Sequence, residues 1–136
     1  MAKILIVEDD PLMLRMYQKI FTLEQYEVDI ATNGEEALDK VHAGKPTLIL
    51  LDIMMPKLNG LQVLDKLKSD PDTKTIPVIM LTNLASEKDA ENALLKGAVK
   101  YIVKSQYEPK AVVDMVKEIL AAATRDEPPP AAAPTS

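Results

Sequence analysis

The sequence predicts an α/β fold in which a parallel sheet of five strands lies between two layers of helices. Two observations carry this prediction. Short apolar runs, such as KILIV at 3–7 and LILL at 48–51, lack the alternation of a half-buried strand and are typical of strands buried on both faces. Each run is followed by a segment with helical apolar spacing, five times in succession. Strict alternation of strand and helix produces a parallel sheet with right-handed crossovers.

Local signals set the limits of each element in turn. Helix one begins at the pair Asp10 and Pro11, because aspartate caps free backbone amides and proline has no N–H to leave unpaired at the first helical position. Asn59 and Ser86 are caps for helices three and four, and Pro109 opens helix five. In chain order the predicted elements are strand 3–7, helix 11–24, strand 28–31, helix 35–43, strand 48–51, helix 60–69, strand 77–81, a helix from 87, strand 99–103 and a helix from 109.

Each helix is expected to turn one apolar stripe toward the sheet. The residues expected to face inward are Met13, Met16, Tyr17 and Ile20; Ala37, Leu38 and Val41; Leu61, Leu64 and Leu67; Ala90, Ala93, Leu94 and Gly97; and Val112, Val116, Ile119, Leu120 and Ala123. The small residues of helix four predict a thin, weakly anchored element. Residues 125–136, RDEPPPAAAPTS, cannot pack a core, so we predict one domain at 1–124 and a disordered tail or linker stub after it.

Composition argues against several classes of function. The chain has 136 residues, no cysteine and one histidine, His42, so neither a zinc site nor a histidine-based triad is expected. A net charge of −5 and a pI near 4.9 argue against unaided binding of nucleic acid. No apolar run is long enough to span a bilayer and the first residues do not resemble a signal peptide, so we expect a soluble, cytoplasmic protein.

Acidic residues follow two strands that should be neighbours. Five strand–helix units favour the doubly wound, flavodoxin-like strand order 2-1-3-4-5, in which strands one and three meet at the switch point. That order brings the acids at 8–10 beside Asp52, which ends strand three. Carboxylates that meet in this way repel one another unless a cation neutralises them. Oxygen ligands without nitrogen or sulfur suit Mg²⁺ with several waters retained.

Strands four and five end in a hydroxyl and an ammonium, Thr82 and Lys104. Parallel strands deliver these groups to the same edge as Asp52. Transfer of a phosphoryl group depends mainly on positioning and on neutralising the charge of its oxygens, which a hydroxyl, an ammonium and a magnesium-bound carboxylate can do. The sequence therefore predicts that Asp52 is a nucleophile that forms an aspartyl phosphate.

With these motifs, residues 3 to about 123 resemble the receiver domain of two-component response regulators, in particular the single-domain type that is similar to chemotaxis regulators. The resemblance lies in the acidic pair of ILIVED, in LLDIMMP around Asp52, and in Lys104 at the end of strand five. It implies that Asp52 is the phosphoacceptor and Lys104 the counter-ion of the phosphoryl group. It also implies that Asp9 binds Mg²⁺ directly and Glu8 through water, with Asp52 and the Met54 backbone carbonyl as further ligands.

The resemblance also implies a switch. Thr82 would be the hydroxyl that moves onto the phosphoryl group, and Tyr101 the aromatic that turns inward with it, although an ordinary edge-strand aromatic is equally consistent with Tyr101. Two positions depart from the pattern of the family. Ser105 stands where proline, often after a cis peptide, is usual. Because a cis bond before a non-proline residue is costly, the family geometry of this loop is in question, and the sequence leaves open whether the peptide after Lys104 is cis or trans. Asn83 stands where a small residue is usual, and we hypothesise that it narrows or polarises the mouth of the site.

The predicted function is a signalling switch. It would accept a phosphoryl group from a sensor histidine kinase or phosphotransfer protein and relay the signal through the face of helix four, strand five and helix five to a downstream target protein. We expect a monomer, with dimerisation on phosphorylation left open, and no direct contact with nucleic acid or membrane. The alternatives are a binding module with this fold that acts without phosphorylation, and an excised receiver of a larger transcription factor.

Other enzyme classes fit the sequence less well. Phosphatases of the haloacid dehalogenase type also use a nucleophilic aspartate, but they place an acid two residues later, where this chain has Met54. Nucleotide-binding G-x-G-x-x-G and P-loop motifs do not occur among only four glycines. We therefore expect catalysis only of the protein's own phosphorylation and dephosphorylation, with an aspartyl phosphate that lasts for at least minutes.

Overall fold

The structure, a computed structural model, describes residues 2–124, and the tail predicted at 125–136 lies outside this range. All ten predicted elements are present. For each element whose first and last residues were both predicted, the two limits agree with the structure within one residue. No helix of the described chain is both long and apolar enough to cross a membrane. The elements are β1 (Lys3–Val7), α1 (Pro11–Leu23), β2 (Glu27–Ala31), α2 (Gly34–Gly44), β3 (Leu48–Leu51), α3 (Gly60–Ser69), β4 (Val78–Thr82), α4 (Glu87–Leu95), β5 (Lys100–Val103), a 3₁₀ turn (Lys104–Gln106) and α5 (Pro109–Thr124).

The five strands form one parallel sheet in the order β2-β1-β3-β4-β5, which confirms the predicted fold class. The register aligns the ends of neighbouring strands. Val7 lies opposite Leu51, and the backbone N–H of Asp52 donates to the Val7 carbonyl at 3.1 Å. Thr82 lies opposite Val103, the residue before Lys104. The polar groups that follow β1, β3, β4 and β5 therefore meet at one edge of the sheet.

The sheet separates two apolar clusters, as expected for strands that are buried on both faces. Successive residues of β1 alternate between them: Ile4 and Ile6 pack in the first cluster, and Leu5 and Val7 in the second. The first cluster is closed by α1 and α5. The second is closed by α2 and α3, with Ala93 as the only fully buried residue of α4. This single buried alanine agrees with the prediction that α4 is weakly anchored.

Three of the predicted inward faces need correction. The buried residues of α1 are Leu14, Tyr17 and Phe21, while the predicted Met13, Met16 and Ile20 are only partly buried. In α5 the buried alanine is Ala122, and Ala123 is exposed. Both helices have apolar residues around much of their circumference, so spacing alone did not fix the phase of the buried stripe.

The third correction concerns Gly97. This residue is exposed and lies beyond the end of α4, where the backbone has a φ of +111°. Glycine adopts such angles without a steric penalty, and here it lets the chain leave the helix and enter β5. Gly97 therefore serves the connection between the elements and is not part of an inward face.

Candidate functional site

Three carboxylates meet at the carboxyl edge of the sheet. One oxygen from each of Glu8, Asp9 and Asp52 lies within 4.8 Å of the others. Glu8 and Asp52 are buried, with 3% and 6% of their surface exposed, whereas Asp9 is exposed. The sequence prediction that acids after β1 and β3 come together is therefore correct in geometry, and the two buried carboxylates require a compensating charge.

Asp52 is held by contacts on both of its carboxylate oxygens. Its Oδ1 accepts a hydrogen bond from the Met54 backbone N–H at 3.2 Å, and its Oδ2 accepts one from the Lys104 ammonium at 3.0 Å. The loop after Asp52 returns so closely that a Cβ on Gly60 would lie 2.1 Å from the Asp52 backbone carbonyl oxygen. Glycine at this position thus permits the loop to pack under the carboxylate.

Lys104 supplies the compensating charge. It begins the 3₁₀ turn after β5, is 7% exposed, and its ammonium donates to Glu8 as well as to Asp52. Burial acts to lower the pKa of Lys104, but the hydrogen bond to Glu8 and the charge of Asp52 outweigh burial and raise that pKa above its ordinary value. Burial raises the pKa of Glu8, although hydrogen bonds from Lys104 and from the Asp10 backbone N–H act to lower it. One ammonium thus serves two buried carboxylates.

Thr82 and Tyr101 are connected through one peptide unit of the loop after β4. Thr82 is fully buried, and its hydroxyl oxygen accepts from the Leu84 backbone N–H at 3.2 Å. The Tyr101 hydroxyl donates to the Leu84 carbonyl oxygen at 2.5 Å. Burial, aided by the negative charges of Asp89 and Asp52, raises the pKa of Tyr101 to about 12. Tyr101 is partly buried against the second cluster and is hydrogen-bonded to the same residue as Thr82, while its role in a switch stays a prediction.

Two other candidate residues have structural contacts. Asp10 caps α1 by accepting from the Leu12 backbone N–H at 3.0 Å, as the sequence predicted. His42 lies near the carboxyl end of α2, with Nδ1 3.0 Å from the Leu38 carbonyl oxygen and Nε2 3.1 Å from an Asp70 carboxylate oxygen. Helices in this fold run against the strands, so the end of α2 is at the opposite edge of the sheet from Asp52.

The donor chemistry of the edge fits a hard divalent cation. Glu8, Asp9 and Asp52 offer oxygen ligands only, and the exposed Asp9 leaves room for coordinated water. Lys104 occupies the space between Glu8 and Asp52, so a cation would share their charge with the ammonium. The role predicted for the Met54 backbone carbonyl stays a prediction, since only the N–H of that residue has a described contact.

The contact between Asn83 and Ser105 was not predicted from the sequence. The Asn83 side-chain oxygen accepts from the Ser105 backbone N–H at 3.1 Å, joining the loops that follow β4 and β5. No cis peptide bond occurs within residues 2–124, so the peptide before Ser105, which the sequence left open, is trans. Both residues stood out as departures from the family pattern, which was the only sequence signal that pointed to them.

Comparison with known proteins gives a consistent result. The family described as "Response regulator receiver domain" matches residues 4–117. The "Probable transcriptional regulator ycf27" of Porphyra purpurea is 39% identical over 118 residues, which cover 87% of this chain and 47% of that protein. The chain thus spans about half the length of this relative. The "Polar-differentiation response regulator DivK" of Brucella anthropi is 35% identical over 117 residues, covering 86% of this chain and 94% of that protein.

Solved structures share the fold. A response regulator receiver domain protein, described as CheY-like, from Methanospirillum hungatei has a TM-score of 0.86 and 32% sequence identity. The match covers 93% of this chain and 98% of the Methanospirillum chain. At this coverage the likeness extends over the sheet, both helical layers and the edge that carries the acids.

Proposed function

Because the chain belongs to the response regulator receiver domain family of two-component systems, we propose that it is a phosphorylation-controlled switch with Asp52 as the phosphoacceptor. The observation that carries this proposal is the position of Asp52: a buried carboxylate at the strand edge, within hydrogen-bonding distance of Lys104 and beside two further acids. Acceptor, counter-ion and metal ligands are thereby available in one place.

The chemistry follows from these groups. An oxygen of Asp52 bonds to phosphorus while the phosphorus–nitrogen bond of a phosphohistidine breaks, and the imidazole nitrogen keeps the electron pair and takes up a proton. The Lys104 ammonium, already 3.0 Å from Asp52, neutralises charge on the transferred oxygens. Glu8, Asp9, Asp52 and the Met54 carbonyl would hold Mg²⁺, which when bound supplies further positive charge to the same oxygens.

The contacts of Leu84 support a route for the signal. If the Thr82 hydroxyl turns toward a phosphoryl group on Asp52, it gives up its hydrogen bond with the Leu84 N–H. The carbonyl of Leu84 holds the Tyr101 hydroxyl, so a shift of this residue also moves the aromatic on β5. Since Ala93 is the only buried residue of α4, this helix is the part of the α4–β5–α5 face that can rearrange at low cost.

In this proposal the protein catalyses only its own phosphorylation and dephosphorylation. Met54 occupies the position where a dehalogenase-type phosphatase has its general acid, and this residue is 59% exposed. Leu84, partly buried, is the apolar residue of the opposite loop. Neither side chain can activate a water molecule, which favours a slowly hydrolysed aspartyl phosphate.

The partners follow from the same proposal. The donor would be a sensor histidine kinase or phosphotransfer protein in the cytoplasm, and the recipient of the signal a protein that binds the α4–β5–α5 face. The relative ycf27 is about twice as long and is named a probable transcriptional regulator, so the alternative of a receiver excised from a longer regulator also agrees with the comparisons.

Intact mass measurement tests the proposal. The protein is incubated with Mg²⁺ and acetyl phosphate beside Asp52→Asn, with a chelator as a second control. We expect the parent to gain one phosphoryl group and the variant and the chelated sample to gain none. If the parent gains none although a titration shows that Mg²⁺ binds, the proposal is wrong and the fold acts here as a binding module without phosphorylation.

A further inference from the structure

The hydrogen bond between Asn83 and Ser105 joins the two loops that carry Thr82 and Lys104. Thr82 directly precedes Asn83, and Lys104 directly precedes Ser105. In the sheet, Thr82 and Val103 are the last residues paired between β4 and β5. Beyond this pair the Asn83 side chain, not the backbone, provides the next acceptor, at 3.1 Å from the Ser105 nitrogen. The side chain thus continues the link between the strands past the end of the ladder.

The contact also caps the 3₁₀ turn that begins at Lys104. The first N–H groups of a helical turn have no hydrogen-bond partner within the turn. Val103, the residue before this 3₁₀ turn, provides no side-chain cap. Asn83 satisfies one of these donors from a neighbouring loop. Because the turn starts with Lys104, fixing its first peptide also fixes the origin of the lysine side chain.

Asn83 and Ser105 form a matched pair. A proline at position 105 would have no N–H to donate, and an alanine at position 83 would have no oxygen to accept. The two departures from the family pattern therefore become one feature when the loops are seen together. Within the described residues, this is the only side-chain hydrogen bond that involves Asn83 or Ser105.

We propose that Asn83 is a positioning residue for Lys104, acting through the backbone of Ser105 to keep the ammonium between Glu8 and Asp52. This inference rests on the proposed phosphorylation of Asp52. Lys104 reaches two buried carboxylates that belong to different strands, and a lysine side chain has enough rotatable bonds to lose that position when its backbone loosens. Correct placement of the counter-ion determines the rate of phosphoryl transfer.

The test compares phosphorylation rates from acetyl phosphate at high ionic strength, which screens added charge. Asn83→Ala removes the acceptor and should slow phosphorylation by roughly threefold to tenfold, the effect of one hydrogen bond. Asn83→Asp keeps an accepting oxygen and should stay near the parent rate. Ser105→Pro removes the donor and should be slow, while Ser105→Ala keeps the N–H and should match the parent.

Two further measurements separate positioning from a general loss of structure. The double variant of Asn83→Ala and Ser105→Pro should be no slower than the slower single variant, because both remove the same bond. Exchange of the Ser105 amide hydrogen should accelerate in Asn83→Ala but not in Asn83→Asp, with unchanged thermal unfolding. Equal rates in the parent and Asn83→Ala, or additive effects in the double variant, would overturn this inference alone. A parent that takes up no phosphoryl group would overturn the proposed function and this inference with it.

Discussion

Replacing Lys104 by methionine should destabilise the metal-free protein in a strongly pH-dependent manner. Methionine keeps a flexible apolar stem of similar length but removes the ammonium that lies between Glu8 and Asp52. Both carboxylates are then buried without their partner, at 3% and 6% exposure. Leaving one member of a buried ion pair uncompensated costs about 3 to 5 kcal/mol in general.

Protonation of Glu8 limits the part of this cost that comes from Glu8. Glu8, whose pKa is already raised by burial, is the group that takes up a proton when the ammonium is removed. Protonating a carboxyl group with the ordinary pKa of 4.5 costs about 1.4 kcal/mol per pH unit above that value. The part of the loss that comes from Glu8 is therefore up to about 3.5 kcal/mol at pH 7 and only about 0.7 kcal/mol at pH 5. The sign follows from linkage, since a carboxyl group with a raised folded-state pKa stabilises the fold at low pH and loses that contribution as the pH rises.

Urea unfolding followed by circular dichroism, in the presence of a chelator at pH 7 and pH 5, measures this difference. Lys117→Met is a matched control, because it removes an ammonium from an ion pair with Glu24 that is exposed on the surface. This control should leave the midpoint nearly unchanged at both pH values. A Lys104→Met variant as stable as the parent at pH 7, or equally destabilised at both pH values, would refute the argument.

Three further predictions concern other parts of the site. Gly60→Ala brings a Cβ within 2.1 Å of the Asp52 carbonyl oxygen and should lower the free energy of unfolding by about 1 to 3 kcal/mol. Gly44→Ala should cost much less, because its Cβ would come close only to the flexible end of the Lys3 side chain and would make an ordinary contact with Asp29. Equal denaturation midpoints of the two variants would contradict this. In an absorbance titration, the phenol that is lost in Tyr101→Phe should be the one with a pKa of about 12. Its contribution to stability should be fully present below pH 10 and should be lost as the pH rises through about 12. Titration of this phenol near pH 10 would disprove the burial argument. The phosphorylated parent should lose its phosphoryl group over minutes, and Met54→Glu should shorten that lifetime. Decay of the parent within seconds would count against the argument that the apolar side chains of Met54 and Leu84 leave the attacking water without activation.

The fold could be predicted from the sequence because its signals are local. Runs such as LILL at 48–51 contain no polar residue that could face solvent, so both faces of the strand are predicted to be buried. Caps such as Asn59 act within one helical turn. The edge that holds the site follows from topology, since parallel strands end together. For that reason the sequence is enough to group Asp52, Thr82 and Lys104 at one site.

The remaining features depend on contacts between distant parts of the chain, which the local sequence around each residue does not determine. Helix α1 has more apolar positions than one face can bury, so only packing against α5 decides that Leu14 and Phe21 lie inward. The contact of Lys104 with Glu8 depends on the exact reach of a long side chain. The bond from Ser105 to Asn83 joins residues 22 positions apart in two loops, a proximity that no local pattern encodes.

The division of the core by the sheet has a consequence during synthesis on the ribosome. The cluster beneath α2 and α3 is built from elements near the middle of the chain, so most of it can assemble while the chain is still growing. The cluster beneath α1 cannot close until α5, the last described element, has emerged. Until then Tyr17 and Phe21 have no cover on that side, and a nascent or truncated chain would present them to chaperones or to other unfinished chains.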